Sequence, residues 1–342
     1  MIRRTFLQAA TGSLLAAPYA LADTKVTNKR ERMLQWLAGK TDPNYTPAAF
    51  FLHFAPDFKV GSAAAKRHLE FFHQTNMDFV KVQFEQTYQR QPNLEKPADW
   101  AHLKLQKIDF YEAQLQTLRE LVASTKKEAL VLMTLYSPFM CAGHCAGGVS
   151  VLRKHLAQDP DAVKKGLDIL TESQLIFVRA CIKAGVDGFY MSTQGAEANQ
   201  GNAPNIFADY IKPSDFVAMK EVSKACPLNI LHVCDYVAPY DSFEAVRDYP
   251  GQVVNCNPKM LGKQLTWQEI TSIFKRPLMG GLDRHGLLAS GTLQQVDDEI
   301  RKTIKSAPKQ FILGADCTVE GNTDWTRLRH AIDTAHRVGV SA

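Results

Sequence analysis

A His-x-Cys pair and one distant Cys end two apolar runs of this chain. Leu228-Asn229-Ile230-Leu231 leads into His232-Val233-Cys234-Asp235, and Phe311-Ile312-Leu313-Gly314-Ala315 leads into Asp316-Cys317. Side chains two apart on a strand face the same side, so His232 and Cys234 can reach one point together. One imidazole and two thiolates suit Zn²⁺, and three protein ligands leave a fourth position for a substrate. If the two strand ends converge, the pattern is a catalytic metal site. Two readings compete with it. A His beside a Cys on an apolar strand is ordinarily a packed core pair. The same convergence would also permit a disulfide between Cys234 and Cys317.

Positioning these residues is the task of the surrounding elements. Eight short apolar runs, at 48–54, 78–84, 129–136, 185–192, 229–235, 252–257, 276–283 and 310–316, read as strands. They are continuous rather than alternating, as expected for parallel strands covered on both faces. Helical periodicity separates most of them: Tyr111, Leu115, Leu118 and Val122 form one stripe, and Trp325, Leu328, Ile332 and Ala335 another. Thr266-x-x-Glu269 and Thr292-x-x-Gln295 match capping boxes, and Gly39 suits the end of an N-terminal helix containing Leu34 and Leu37. Strands alternating with helices eight times favour a single closed (β/α)₈ (TIM) barrel. A doubly wound open sheet is the alternative, weakened because no Gly-rich phosphate loop follows the first run.

A barrel predicts chemistry at strand ends. Those ends carry His53, Glu85, Tyr136, Ser192 with Gln194, His232 with Cys234 and Asp235, Asn255 with Asn257, Asp283 with His285, and Asp316 with Cys317. Tyr136, Asp283 and His285 are the candidate catalytic residues of the pocket, although Asp283 could equally brace its own loop. His53 reads as a hydrogen-bonded pocket residue. Glu197, Asp235 and Asp316 are the nearest candidates for a fourth metal ligand. The cluster Cys141-Ala142-Gly143-His144-Cys145 lacks the Cys-x-x-Cys-His order of haem attachment. A local disulfide or a mobile loop over the mouth is the expectation there. Cys181 and Cys226 fall in expected helices.

At the front, Arg3-Arg4-Thr5-Phe6-Leu7-Gln8 is a twin-arginine motif, followed by an uncharged stretch from Ala9 to Leu21 and the small residues Ala20-Leu21-Ala22. Residues 1–22 are therefore expected to be a twin-arginine signal peptide, and 23–342 a single periplasmic domain. The apolar stretch is too short to span a bilayer, so no stable membrane insertion is expected. A formal net charge of +5 without a long basic run gives no indication of nucleic-acid binding. Seven cysteines are an unbalanced number for a disulfide framework.

With these residues in place, the chain resembles the uroporphyrinogen decarboxylase superfamily from about Arg30 to its C-terminus. The stretches that carry the resemblance are Gly185-Val186-Asp187-Gly188, Leu231-His232-Val233-Cys234, and the tail from Gly280-Gly281-Leu282-Asp283 through Gly291-Thr292 to Ile312-Leu313-Gly314-Ala315-Asp316-Cys317, with weaker likeness at 205–207 and 214–216. Such proteins are single (β/α)₈ barrels. True decarboxylases carry an N-terminal Arg-rich motif and an Asp after the second strand. Here the corresponding segments read Phe51-Leu52-His53-Phe54 and Val82-Gln83-Phe84-Glu85. The methylcobamide:coenzyme M methyltransferase branch binds Zn through a His-x-Cys and a late Cys, the pattern of His232, Cys234 and Cys317, though Asp235 stands where that branch usually has Gly. The resemblance thus implies a zinc-dependent methyltransferase-like enzyme. A small-molecule thiol held at zinc would attack a methyl group from a corrinoid, on a corrinoid protein, or from another donor. Barrels of this kind often form homodimers. Two other functions stay open: a decarboxylase of a porphyrinogen or related carboxylated substrate, and a non-catalytic metal- or corrinoid-binding protein.

Overall fold

In the computed structural model, residues 28–198 and 205–339 are described; the twin-arginine segment lies outside them. Seven of the eight apolar runs form one parallel sheet: β1 (Phe79–Val82), β2 (Leu130–Tyr136), β3 (Gly188–Thr193), β4 (Ile230–Val233), β5 (Val253–Cys256), β6 (Leu278–Leu282) and β7 (Phe311–Ala315). Every residue of β1, β3, β4, β5 and β7 is buried, as continuous apolar runs require when both faces are covered. Their order across the sheet is their order along the chain. A doubly wound sheet reverses its order at a switch point, so this topology is that of a barrel.

The first run departs from expectation. Instead of laddering as a strand, 48–52 is extended chain that meets its neighbours at isolated bridges, Ala48 with Leu313 and Leu52 with Val319. The Leu313 N–H donates to the Pro47 carbonyl at 2.8 Å, and the Ala49 N–H donates to the Leu313 carbonyl at 3.0 Å. On the other flank the Asp78 N–H donates to the Ala48 carbonyl at 3.0 Å. Pro47 offers no N–H, which keeps the ladder from continuing upstream. The segment still spans from β7 to the start of β1 and so serves as the eighth stave of the curled sheet.

Asp78 fastens this closure. Its carboxylate is fully buried and accepts from the Ala48 N–H at 2.7 Å, from the Tyr45 hydroxyl, and from His336 Nε2 at 2.9 Å. Burial opposes ionisation, but these partners together hold the group below the usual carboxylate range. One side chain thus ties the N-terminal stave, the first strand and the C-terminal helix.

Helices cover the outside, and their ends follow the sequence signals. Helices Trp267–Phe274 and Leu293–Ser306 both open on a reciprocal capping box. Helix Pro160–Ala184 ends at Gly185, whose φ of +92° suits the left-handed terminating position. Gly188, at the start of β3, is required for a different reason: a Cβ there would sit 1.5 Å from the Leu228 carbonyl oxygen. Two local expectations fail. Residues 141–145 are neither a disulfide nor a loop but part of helix Pro138–Ala146, capped by the Ser137 hydroxyl, and Cys141 and Cys145 are free and buried. Cys226 lies one residue past helix Lys212–Ala225 rather than inside it. Among the described residues, no helix is long and apolar enough to cross a membrane.

Candidate metal centre and its pocket

The ends of β4 and β7 do converge. One ligand atom from each of His232, Cys234 and Cys317 lies within 4.8 Å of the others. Cys317 Sγ is 3.3 Å from His232 Nε2. His232 and Cys234 are buried, and Cys317 is partly so. All the cysteines in the described residues are free, so the Cys234–Cys317 disulfide is not formed. The two thiols share their acidity unequally. Cys317 is pushed down, first by a hydrogen bond from Cys234 and then by His232 and Arg284, whereas the same hydrogen bond and burial push Cys234 up.

The imidazole is oriented for ligation. Asn255 Nδ2 donates to the carbonyls of Met279 and Ala315, both at 3.0 Å, which leaves its Oδ1 as a fixed acceptor. That oxygen faces His232 Nδ1 at 2.6 Å and also accepts from the Tyr190 hydroxyl at 2.6 Å. His232 Nδ1 must then carry the proton, and the Nε2 lone pair points to the thiols. Tyr190 stacks on the same imidazole with ring centres 5.0 Å apart, preventing rotation.

A single arginine clamps the two strand ends that carry Cys234 and Cys317. Arg284 Nη1 reaches Asp235 at 3.0 Å and Asp316 at 2.7 Å, the residues next to Cys234 and Cys317. Asn257 Nδ2 donates to the same two carboxylates at 2.7 and 3.0 Å. Burial, countered by Arg284, leaves Asp316 pushed up to about 6. Both carboxylates are thus engaged by Arg284 and Asn257. Glu197 is also held elsewhere, by Arg153 at 2.7 Å and the Gly195 N–H at 2.9 Å.

His232, Cys234, Cys317, Arg284 and Tyr190 form part of the wall of a cavity of about 840 Å³, a volume suited to a small organic ligand. Tyr136 lines it, and burial raises its phenol far above the ordinary range, so it remains a hydrogen-bond donor. His53 also lines it, bonded to Glu85 at 2.7 Å and to Gln83 at 2.8 Å. His285 sits at the exposed rim, 3.4 Å from Glu320. Asp283 is exposed, absent from the cavity wall, and accepts the His285 N–H at 2.8 Å, the bracing contact its position allowed. His144 of the reassigned helix lines the cavity, its ring centre 6.0 Å from that of Tyr136. Three contributors escaped the sequence reading: Arg284, Lys81 and the orienting role of Asn255. Only Asn255 had a signal, its place at a strand end.

Taken with this site, the curled parallel sheet and its helical cover define a (β/α) barrel with a polar cavity at its strand ends. The family model for uroporphyrinogen decarboxylase (URO-D) matches residues 77–338, and the chain belongs to that family. Among solved structures, a methyltransferase from Methanosarcina mazei is similar with a TM-score of 0.72 at 14% identity, covering 90% of this chain and 98% of that one. A B12-independent methionine synthase from Shewanella sp. W3-18-1, in complex with selenomethionine, is similar with a TM-score of 0.52 at 11% identity, covering 86% and 97%. At such identities the likeness is one of fold. A search of the curated proteins found no sequence match.

Proposed function

We propose that this chain is an exported, zinc-dependent, methyltransferase-like enzyme that activates a small-molecule thiol. The observation that carries the reading is the His232, Cys234 and Cys317 cluster in the cavity wall. Its donor set fits zinc: one imidazole with its lone pair free and two thiols, with no carboxylate among them. Zinc bound there would supply a Lewis acid that lowers the pKa of a substrate thiol. The chain's own residues prepare the site. Asn255 holds the His232 tautomer, Arg284 holds the spacing of the two cysteines, and the Tyr136 phenol offers a proton to an acceptor in the cavity. The methyl donor is proposed to be a corrinoid, and the twin-arginine motif at Arg3-Arg4 supports periplasmic export.

Porphyrinogen decarboxylation is less well supported. The arginine of the cavity wall, Arg284, is already paired with two carboxylates and is not free to receive those of a substrate. Metal analysis tests the main reading. Wild-type protein is expected to hold one equivalent of zinc, and Cys234→Ser and Cys317→Ser each to lose it. Unchanged metal content in both variants would overturn the assignment.

A further inference from the structure

His53 and Glu85 form an imidazole–carboxylate pair that the chemistry described above does not use. His53 follows the extended stave 48–52, and Glu85 lies three residues beyond β1. His53 Nδ1 is 2.7 Å from Glu85 Oε1. The imidazole is 45% exposed and lines the cavity, whereas the carboxylate is only 6% exposed. Burial opposes ionisation of Glu85, but His53 and then Lys59, at 3.4 Å, hold it below the usual carboxylate range. An ionised carboxylate can only accept, so it fixes the imidazole proton on Nδ1 and leaves the lone pair on Nε2. Gln83 Nε2 lies 2.8 Å from Nε2 and 3.2 Å from Nδ1, a side-on contact off the line of either lone pair. On the adjoining loop, Gly321 packs against the His53 carbonyl, and the neighbouring Glu320 is engaged by His285 at 3.4 Å.

The pair stands beside the thiols. The stave that leads into His53 bridges the loop after Cys317, Leu52 with Val319, and the Val319 N–H donates to the Phe51 carbonyl at 2.8 Å. Burial raises the Tyr136 phenol first, and Glu85, Cys234 and Cys317 raise it further, so the pair and the cluster act on one hydroxyl. A thiol that becomes a metal ligand must shed a proton, and the cavity wall has few groups to take it. Tyr136 keeps its own. His285 Nε2 already accepts from Arg284 Nε at 3.1 Å. His144 buries its Nδ1 without a hydrogen-bond partner among the described residues, so no acid orients that ring. Lys81, 6% exposed beneath the Phe51 and Tyr190 rings, is too buried to return a proton to water. His53 combines a lone pair, an orienting carboxylate and contact with solvent.

We propose that His53 is the general base that takes the proton of the substrate thiol, with Glu85 as the positioning residue that sets its tautomer. The S–H bond breaks, its electron pair stays on sulfur, and the proton bonds to Nε2. Glu85 stabilises the imidazolium so formed, which returns its proton to water through the exposed part of the ring. This rests on the thiol-activating reading and adds the route by which the proton leaves.

The test uses the protein loaded with Co²⁺ and two thiols of similar size and different acidity, 2-mercaptoethanol and 2,2,2-trifluoroethanethiol. At about pH 8 the first is mostly protonated, and the second, acidified by its fluorines, is mostly thiolate and needs no base. Sulfur entry is timed by the thiolate-to-cobalt charge-transfer band after rapid mixing. His53→Gln is expected to slow entry of 2-mercaptoethanol about a hundredfold, the usual size of a general-base contribution, and to leave trifluoroethanethiol unchanged. Glu85→Gln is expected to show the same split to a smaller degree. Normal entry of the acidic thiol shows that each variant's site is intact. A structural role would slow both thiols alike. Equal slowing of the two, or slowing of neither, in both variants would overturn the assignment. If neither thiol produces the band in wild type, the thiol-activating reading fails, and the base with it.

Discussion

At the scale of single residues, the proposed metal centre would depend on a proton whose position Asn255 decides. Both Nδ2 hydrogens are taken by the Met279 and Ala315 carbonyls, so the side chain cannot flip without losing two bonds. Asn255→Leu removes the acceptor for His232 Nδ1 and for the Tyr190 hydroxyl, both buried. Freed of that contact, His232 can turn or change tautomer. Loss of such an outer partner typically weakens metal binding ten- to a hundredfold. Competition with a chromophoric chelator should show a drop of about that size in Asn255→Leu. Unaltered affinity would mean that the stacked Tyr190 alone orients the ring.

At the scale of elements, two clasps act at different places in the barrel. Arg284 bridges the residues flanking Cys234 and Cys317, which follow strands with two others between them in the sheet. Asp78 closes the ring where the N-terminal stave lacks a continuous ladder. Asp78→Ala leaves the Tyr45 hydroxyl and the Ala48 N–H without their acceptor, and is expected to cost about 3 kcal/mol in urea unfolding. The pH dependence has a definite sign. Asp78 is held below its ordinary value of 3.8 by His336, Tyr45 and the Ala48 amide, against burial. Its contribution is therefore present above pH 3.8 and lost as pH falls through the lower native value. Wild type should lose stability in that acid window more steeply than Asp78→Ala, and parallel acid limbs for the two proteins would refute the clasp.

For the whole molecule, a metal held between β4 and β7, as proposed, would join distant parts of the ring. Anything that binds only the folded state stabilises it, by about 2.7 kcal/mol when free metal is a hundredfold above its dissociation constant. Metal-stripped wild type should therefore melt below the zinc-loaded form, and zinc should leave the melting of Cys317→Ser unchanged. An equal zinc shift in both proteins would place the ion elsewhere. The grouping of His232 with Cys234 was legible from the sequence because a two-residue spacing on a strand is a local property, as are the capping boxes at Thr266 and Thr292 and the left-handed Gly185. The seven strands were legible for the same reason: continuous apolar runs need cover on both faces. Three-dimensional partners override such signals, and there the reading failed. The 48–54 run looks like any other strand, yet Pro47 and the clasp at Asp78 leave 48–52 an extended stave. Residues 141–145 look like a cysteine cluster, yet Ser137 and Pro138 start a helix there. By itself, then, the sequence determined the barrel's period and the chemical identity of the donors. Only the tertiary structure decided that residues 85 apart in the chain meet at 3.3 Å, because curvature of the sheet and one shared arginine bring β4 and β7 together. Only it showed that Lys81, a lysine in an apolar run, is buried in the cavity wall over the Phe51 and Tyr190 rings, with no carboxylate paired to it among the described residues.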